Sequence, residues 1–165
     1  MSELSPDPTL NELNPTFVVG SQEYESRLQE DLFVNRNDLA EAFATHSERF
    51  AWYATCYELA QEKLARLETA LKRMYAVLDH EHRTTYAANG VKTTEKMIEN
   101  TVITDMRYIE LQDKVIDATK EVGLLKAARD AMIHRRDMLI SMGATYRAEV
   151  RSDPSLKADA IKGSY

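Results

Sequence analysis

The sequence predicts an all-α protein: a long antiparallel helical hairpin with a short helical elbow. Three observations carry this. Of the four prolines, three fall in the first fifteen residues and the fourth is Pro154, so the strongest helix breaker is missing from the body of the chain. From Asp38 to Asn89, with no proline or glycine, apolar or aromatic side chains recur at alternating steps of four and three: Leu39, Phe43, Phe50, Tyr53, Tyr57, Ala60, Leu64, Leu67, Leu71, Met74, Leu78. A second amphipathic run follows from Asp105 to Val150. A 3.5-residue period keeps one seam on one side of a supercoiling helix. At about 1.5 Å per residue the first segment spans about 75 Å. Its seam therefore needs a second long helix, from this chain or a neighbour.

The elements follow in order. Residues 1–20, with Pro6, Pro8, Asn11, Asn14, Pro15 and Gly20, read as a flexible acidic arm. Ser21 is placed to cap a short helix to Leu32, with Tyr24, Leu28 and Leu32 on one face. Asn35-Arg36-Asn37 is the turn, and Asn37 is the expected N-cap of the long helix, with Asp38 and Glu41 in its first turn. His46 alone breaks the apolar run, in register. Asn89-Gly90 is a C-cap signal, because glycine takes the left-handed conformation without cost. Val91-Lys92-Thr93 connects to a short helix from Glu95 to about Asn100, capped by Thr93 or Thr94. The β-branched Thr101-Val102-Ile103 marks a break, after which Thr104 caps the second long helix. Its seam reads Tyr108, Leu111, Val115, Ala118, Val122, Leu125. The same register then meets Arg129 and Arg136, so the apolar face is expected to shift to Leu124, Ala128, Met132, Leu139 and Met142, as at a stutter. Gly123 and Gly143 each mark a kink or a close helix approach. One helical domain, 21–150, and a tail, 151–165, result. Phe50, Tyr57, Leu64, Leu71, Leu125, Leu139 and Met142 are the expected core and chain–chain contacts.

Composition narrows the class. Hydrophobic residues make up 44% and charged residues 29% of a 165-residue chain, as in a water-soluble domain. No apolar run approaches the roughly 20 residues of a membrane span. The start, Met-Ser-Glu-Leu-Ser-Pro-Asp, has no basic n-region, so no signal peptide is expected. With Cys56 as the one cysteine, a reducing, cytoplasmic setting fits. The net charge of -6 is uneven. Arg27 and Arg36 are the only basic residues before Arg49, so the first part is acidic and the rest slightly basic.

No catalytic constellation emerges. Cys56 sits inside a helix, away from any helix N-terminus that would lower its pKa, and reads as a small buried hydrophobe. His46 lies almost three turns away. In His80-Glu81-His82 the two imidazoles are about 200° apart around a helix and do not converge on a metal. No glycine-rich phosphate loop follows a strand. The chain is read as a non-enzyme, without cofactor or metal.

The informative cluster is basic and aromatic. Lys63, Arg66, Lys72, Arg73, Arg83 and Lys92 stand against Glu68, Asp79 and Glu81, with His80, His82 and Tyr86 among them. Cations that follow phosphates, interleaved with rings that stack on bases, suit single-stranded nucleic acid. The plain alternative is a solvated helix face. A second cluster, Lys126, Arg129, Arg135 and Arg136 with His134, has salt bridges along or between helices as its alternative.

Leu28-Gln29-Glu30-Asp31-Leu32-Phe33-Val34, the long helix, Leu78-Asp79 with Tyr86 after it, Glu95-Lys96-Met97 and the second long helix together resemble the phage recombination mediator (UvsY) family. The resemblance implies a ring-shaped homo-oligomer, heptameric in the type member. It also implies single-stranded DNA, a RecA-like phage recombinase and the phage single-strand-binding protein as partners, and host-cell cytoplasm as the location. That family carries a Lys-x-Arg pair directly before the Leu-Asp element. Tyr75 and Val77 occupy those places here, so the role of that pair is not carried over.

Lys72, Arg73, Arg83 and Lys92 are therefore the candidate phosphate contacts, and His82 and Tyr86 the candidates for stacking or hydrogen bonding. Repeated around a ring, a few cations per subunit make a positive track on an acidic protein. The rival expectations are a structural coiled-coil scaffolding or assembly protein that binds no nucleic acid, and a helical adaptor whose acidic arm mimics DNA.

Overall fold

A side chain or a glycine settles most helix boundaries among the described residues. The computed structural model describes the backbone of residues 16–19 and 22–25 and all atoms of 27–152. The elements are β1 (Thr16–Val19), β2 (Gln22–Glu25), α1 (Leu28–Leu32), α2 (Leu39–Ala88), α3 (Glu95–Ile103) and α4 (Met106–Ser152). Among the described residues from Leu28 to Ser152 every element is a helix.

The start of the described chain corrects the sequence expectation. β1 and β2 pair as a two-stranded sheet where the end of a flexible arm and the first turns of a helix were expected. Two residues separate the strands, a connection that only an antiparallel pair accommodates. The cause is local: Thr16-Phe17-Val18-Val19 is β-branched and aromatic, which favours a pleated strand over a helix. The helix expected from Ser21 is confined to Leu28–Leu32. The rest of the arm and the tail beyond Ser152 lie outside the described residues.

Capping explains the other bounds. Asp38, not Asn37, caps α2: its Oδ1 accepts from the Glu41 amide at 3.2 Å, while the Asn37 amide donates to Asn35 Oδ1 at 3.0 Å. α2 ends in the paired bonds Val91 N–H to Tyr86 O, 3.0 Å, and Gly90 N–H to Ala87 O, 3.1 Å. Gly90 has φ 69°, so the glycine signal located this end correctly. Thr94 caps α3 through the Met97 amide. α3 continues through Thr101-Val102-Ile103, against expectation, because Ile98 and Val102 on one face of it are fully buried. The break falls at Thr104-Asp105 instead. Asp105 caps α4, its Oδ1 accepting from the Arg107 amide at 2.9 Å, and the Thr104 hydroxyl donates back to Asn100 O.

The described helices form two compact units, residues 27–55 with 126–152 and residues 56–125. In each, α2 and α4 pack antiparallel. In the first, Tyr53, Ala128 and Met132 form a buried cluster flanked by Leu28, Leu32, Phe50 and Trp52. In the second, the elbow unit, Leu78, Ile98 and Val102 form the cluster, flanked by Met74, Tyr75, Tyr86 and Tyr108.

The seam holds with two changes of side chain. Tyr53, Cys56, Tyr57, Ala60, Leu78, Ala118, Leu125 and Leu139 are buried, and Phe50, Leu64, Leu71 and Met142 half-buried. Near the start of α2 the buried residue is Ala42, and Phe43 is largely exposed. In α4 the series Ala118, Leu125, Met132, Leu139 runs on unbroken at steps of seven. Only its companion row changes, from Val115 and Val122 to Ala128 and Arg135. Leu124, expected on the shifted face, is exposed. Arg135 takes an inward position, 3% exposed, and is the one buried charged residue among those described.

Candidate nucleic-acid interface

The basic residues of the elbow unit divide by what their charge is attached to. Lys63 Nζ meets Glu121 at 2.6 Å, and Arg66 pairs with Glu62 one turn earlier on α2. Arg83 grips Asp79 on its own helix with Nε and Nη2, at 2.8 and 3.1 Å, and reaches Glu95 at the start of α3 with Nη1 and Nη2. This fork-to-carboxylate geometry ties α2 to α3. It also holds the Asp79 and Glu95 carboxyls below their ordinary range, first through the hydrogen bonds from Arg83. Arg83 is thus a clasp of the elbow, and its guanidinium is already engaged by two carboxylates.

His82 and Tyr86 are built into the same corner. His82 is half-buried, its Nε2 3.5 Å from an Asp105 oxygen and shielded from solvent. Asp105 itself is held at about 2 by hydrogen bonds from the Arg107 side chain and amide. The Tyr86 ring packs on the Leu78 cluster, with its hydroxyl 3.4 Å from Thr101 Oγ1. Lys72, Arg73 and Lys92 differ from all of these. They are exposed, and none has an ion pair among the described residues. Of the six residues singled out from the sequence, the structure leaves these three cations open to solvent and uses Arg83, His82 and Tyr86 to hold the elbow.

A feature the sequence did not reveal lies beside Lys72. Leu71, Lys72 and Tyr75 from α2 and Tyr108 from α4 line an open hollow of about 240 Å³. The two rings meet edge to face, centroids 6.1 Å apart at 72°. Tyr75 and Tyr108 are 33 positions apart in sequence, and Tyr108 looked like an ordinary seam residue. Its place in the helical period was the only signal, and that signal reads as core.

In the second basic cluster the three arginines are engaged, while Lys126 and His134 stay exposed. Arg129 and Arg136 pair with Asp130 and Asp137, their sequence neighbours. Arg135 is buried, its Nη1 donating to Ala42 O at 3.3 Å and lying 3.1 Å from His46 Nδ1, while its Nε has no partner. The Cys56 thiol is buried and pushed up by that burial, in keeping with a packing role. Among the described residues no His, Cys, Asp and Glu side chains gather into a group of three that could hold a metal. None of the described helices is long and apolar enough to cross a membrane.

Comparison of the chain with protein-family models, with curated proteins and with solved structures finds no match.

Proposed function

We propose that this protein is a recombination mediator: it binds single-stranded DNA and promotes loading of a RecA-like recombinase in place of the single-strand-binding protein. The observation that carries the DNA-binding part is the set of solvent-facing, unpaired cations Lys72, Arg73 and Lys92 in a unit whose other arginines are largely neutralised. Cations free of carboxylates can give up small counterions to a phosphate chain, and that release drives sequence-independent binding. The ring, its heptameric count and the two phage protein partners rest on the resemblance of the residues around Leu28–Val34, Leu78-Asp79, Tyr86 and Glu95-Lys96-Met97. The mechanism is physical: binding energy holds the strand in a form that favours recombinase nucleation, and no bond is made or broken.

The test is fluorescence anisotropy of a labelled single-stranded oligonucleotide at two salt concentrations, with light-scattering mass on the same sample. Binding by an oligomer that weakens steeply with salt, and that disappears in a Lys72→Ala/Arg73→Ala/Lys92→Ala variant, is the expected result. An intact oligomer that binds nothing at low salt overturns the reading. The second reading, a structural assembly protein, would then take its place. It draws on exposed apolar side chains within each unit, Ile116 and Leu124 in one and Met138 and Ile140 in the other, that further protein surfaces would cover.

A further inference from the structure

We propose that Tyr75 and Tyr108, with Lys72 at their rim, form a base-stacking subsite for single-stranded nucleic acid; this rests on the reading of the protein as DNA-binding. Both rings pack on the fully buried cluster of Leu78, Ile98 and Val102, so their positions are fixed before any ligand arrives. Both nevertheless remain only partly buried, and both border the hollow that Leu71 and Lys72 complete.

The hydroxyls point to the same assignment. Tyr53 gives its hydroxyl to Asp31 at 3.0 Å, and Tyr86 approaches Thr101. Neither the Tyr75 nor the Tyr108 hydroxyl has a hydrogen-bond partner among the described residues, and neither oxygen is shut away from solvent. These two tyrosines present ring surface at the protein boundary with no internal polar task.

The lining defines the chemistry of the occupant. It has two π systems, one aliphatic wall and one ammonium, and no carboxylate. At about 240 Å³ the hollow is smaller than the roughly 300 Å³ at which sites for drug-sized ligands begin, so it suits one planar ring rather than a whole cofactor. A base carried on a phosphate chain meets each condition. Its flat face lies on one tyrosine ring and its edge meets the other, since the rings stand at 72° to each other, and its phosphate reaches the unpaired Lys72. Stacking of this kind tolerates any base, because every base has a π face. An aromatic side chain of a protein partner could meet the ammonium through its ring but brings no phosphate to pair with it.

The experiment compares wild-type protein on an oligothymidine and on an abasic oligomer of equal length and charge, then repeats both with Tyr75→Leu, Tyr108→Leu and Tyr108→Phe. Stacking at one base is worth about 1–3 kcal/mol by side-chain truncation, about a five- to hundredfold change in affinity. The wild type is expected to favour the base-bearing strand by about tenfold or more. Each leucine variant should erase most of that preference with the salt dependence unchanged, and Tyr108→Phe should keep it. A 5-iodouracil strand irradiated with the wild type should crosslink at Tyr75 or Tyr108 in peptide mapping, a readout that needs no variant to fold. Leucine variants that bind like wild type, or crosslinks found only elsewhere, overturn the subsite and leave the DNA-binding reading standing. Absence of any binding by the wild type at low salt removes both.

Discussion

In the elbow unit, residues 56–125, the charges stay outside. Leu78, Ile98 and Val102 are fully buried, and around them Arg83 with Asp79 and Glu95, and Arg107 with Asp105 and Glu81, close the corner at the surface. In the unit of residues 27–55 and 126–152 a charge goes inside. Arg135 lies 3% exposed among Ala42, His46 and the neighbouring helix faces, with Asp31 joining Arg49 and Tyr53 close by. Exposed pairs join elements at little energetic gain or loss. A buried guanidinium with an unsatisfied Nε imposes a desolvation cost that its two contacts offset only in part. The elbow is thus held by packing with ionic clasps beside a buried imidazole nitrogen, His82 Nε2, that lacks a hydrogen-bond partner, and the other unit carries a buried charge, Arg135, in its seam.

The largest effect that would sharpen this contrast is Leu78→Ala. Emptying a fully buried leucine site costs about 2–5 kcal/mol. Hydrogen exchange should then show protection lost first in Glu95–Ile103, with amides around Tyr53 still protected. An even loss throughout would show that the two units open together.

Next is Arg135→Met, which keeps a long unbranched side chain and removes the charge. Replacing buried ionic groups by apolar ones of similar volume is neutral or stabilising by about 1–4 kcal/mol, so the urea midpoint should hold or rise. A clear fall would mean that the bonds to Ala42 O and His46 carry net stability, and the contrast between the units would fail.

The units should also differ in their response to acid. Burial first, then the charges of Arg135 and Arg136 on α4, hold the His46 pKa below its ordinary 6.5. Its Nδ1 faces the Arg135 Nη1 donor, a contact that only the neutral ring accepts. As the pH falls below 6.5 the unfolded chain takes up this proton before the folded one, so stability declines from there downward. In the elbow the carboxyls are the depressed groups. Asp105 lies at about 2 against an ordinary 3.8, so its contribution is complete above 3.8 and is lost as the pH falls toward about 2. Melting curves against pH should therefore slope from about 6.5 downward, and Arg135→Met should lessen that upper slope in part, since burial and Arg136 remain, while leaving the acid end unchanged.

The smallest effect concerns two glycines of α4. A Cβ on Gly123 meets nothing within 4 Å, so Gly123→Ala should add about 1 kcal/mol through helix propensity, read from the denaturant midpoint. A Cβ on Gly143 comes 3.2 Å from Phe43 Cζ and 3.3 Å from Arg147 Nη1, so Gly143→Ala should gain less or lose stability. Equal gains would show that Phe43, largely exposed, yields freely.

Much of the fold was legible because its signals are local. The proline-free span, the seam from Phe50 to Leu78 and the glycine at position 90 announce two long helices and the end of the first. The caps were displaced by one residue, to Asp38 and Asp105, because asparagine, aspartate and threonine compete for the same amides. The β1–β2 pair was missed because a short helical spacing from Tyr24 to Leu32 outweighed the β-branched run before it. The candidate site was half legible: exposure of Lys72 and Arg73 follows from their place on the polar face of α2 and that of Lys92 from its place in the connector, whereas the commitment of Arg83 depends on Glu95, twelve residues away across a turn.

By itself, then, the sequence determined which segments are helical and which stripe of each faces inward, since periodicity and capping act over one or two turns. Tertiary structure decided which stripes meet. That choice put Arg135 rather than Leu124 into the α4 seam, laid Phe43 over Gly143, and brought Tyr108 to Tyr75. The physical reason is that a helix face spans several residues in width, and a rotation of one position, about 100°, is fixed only by side chains packing against the other helix.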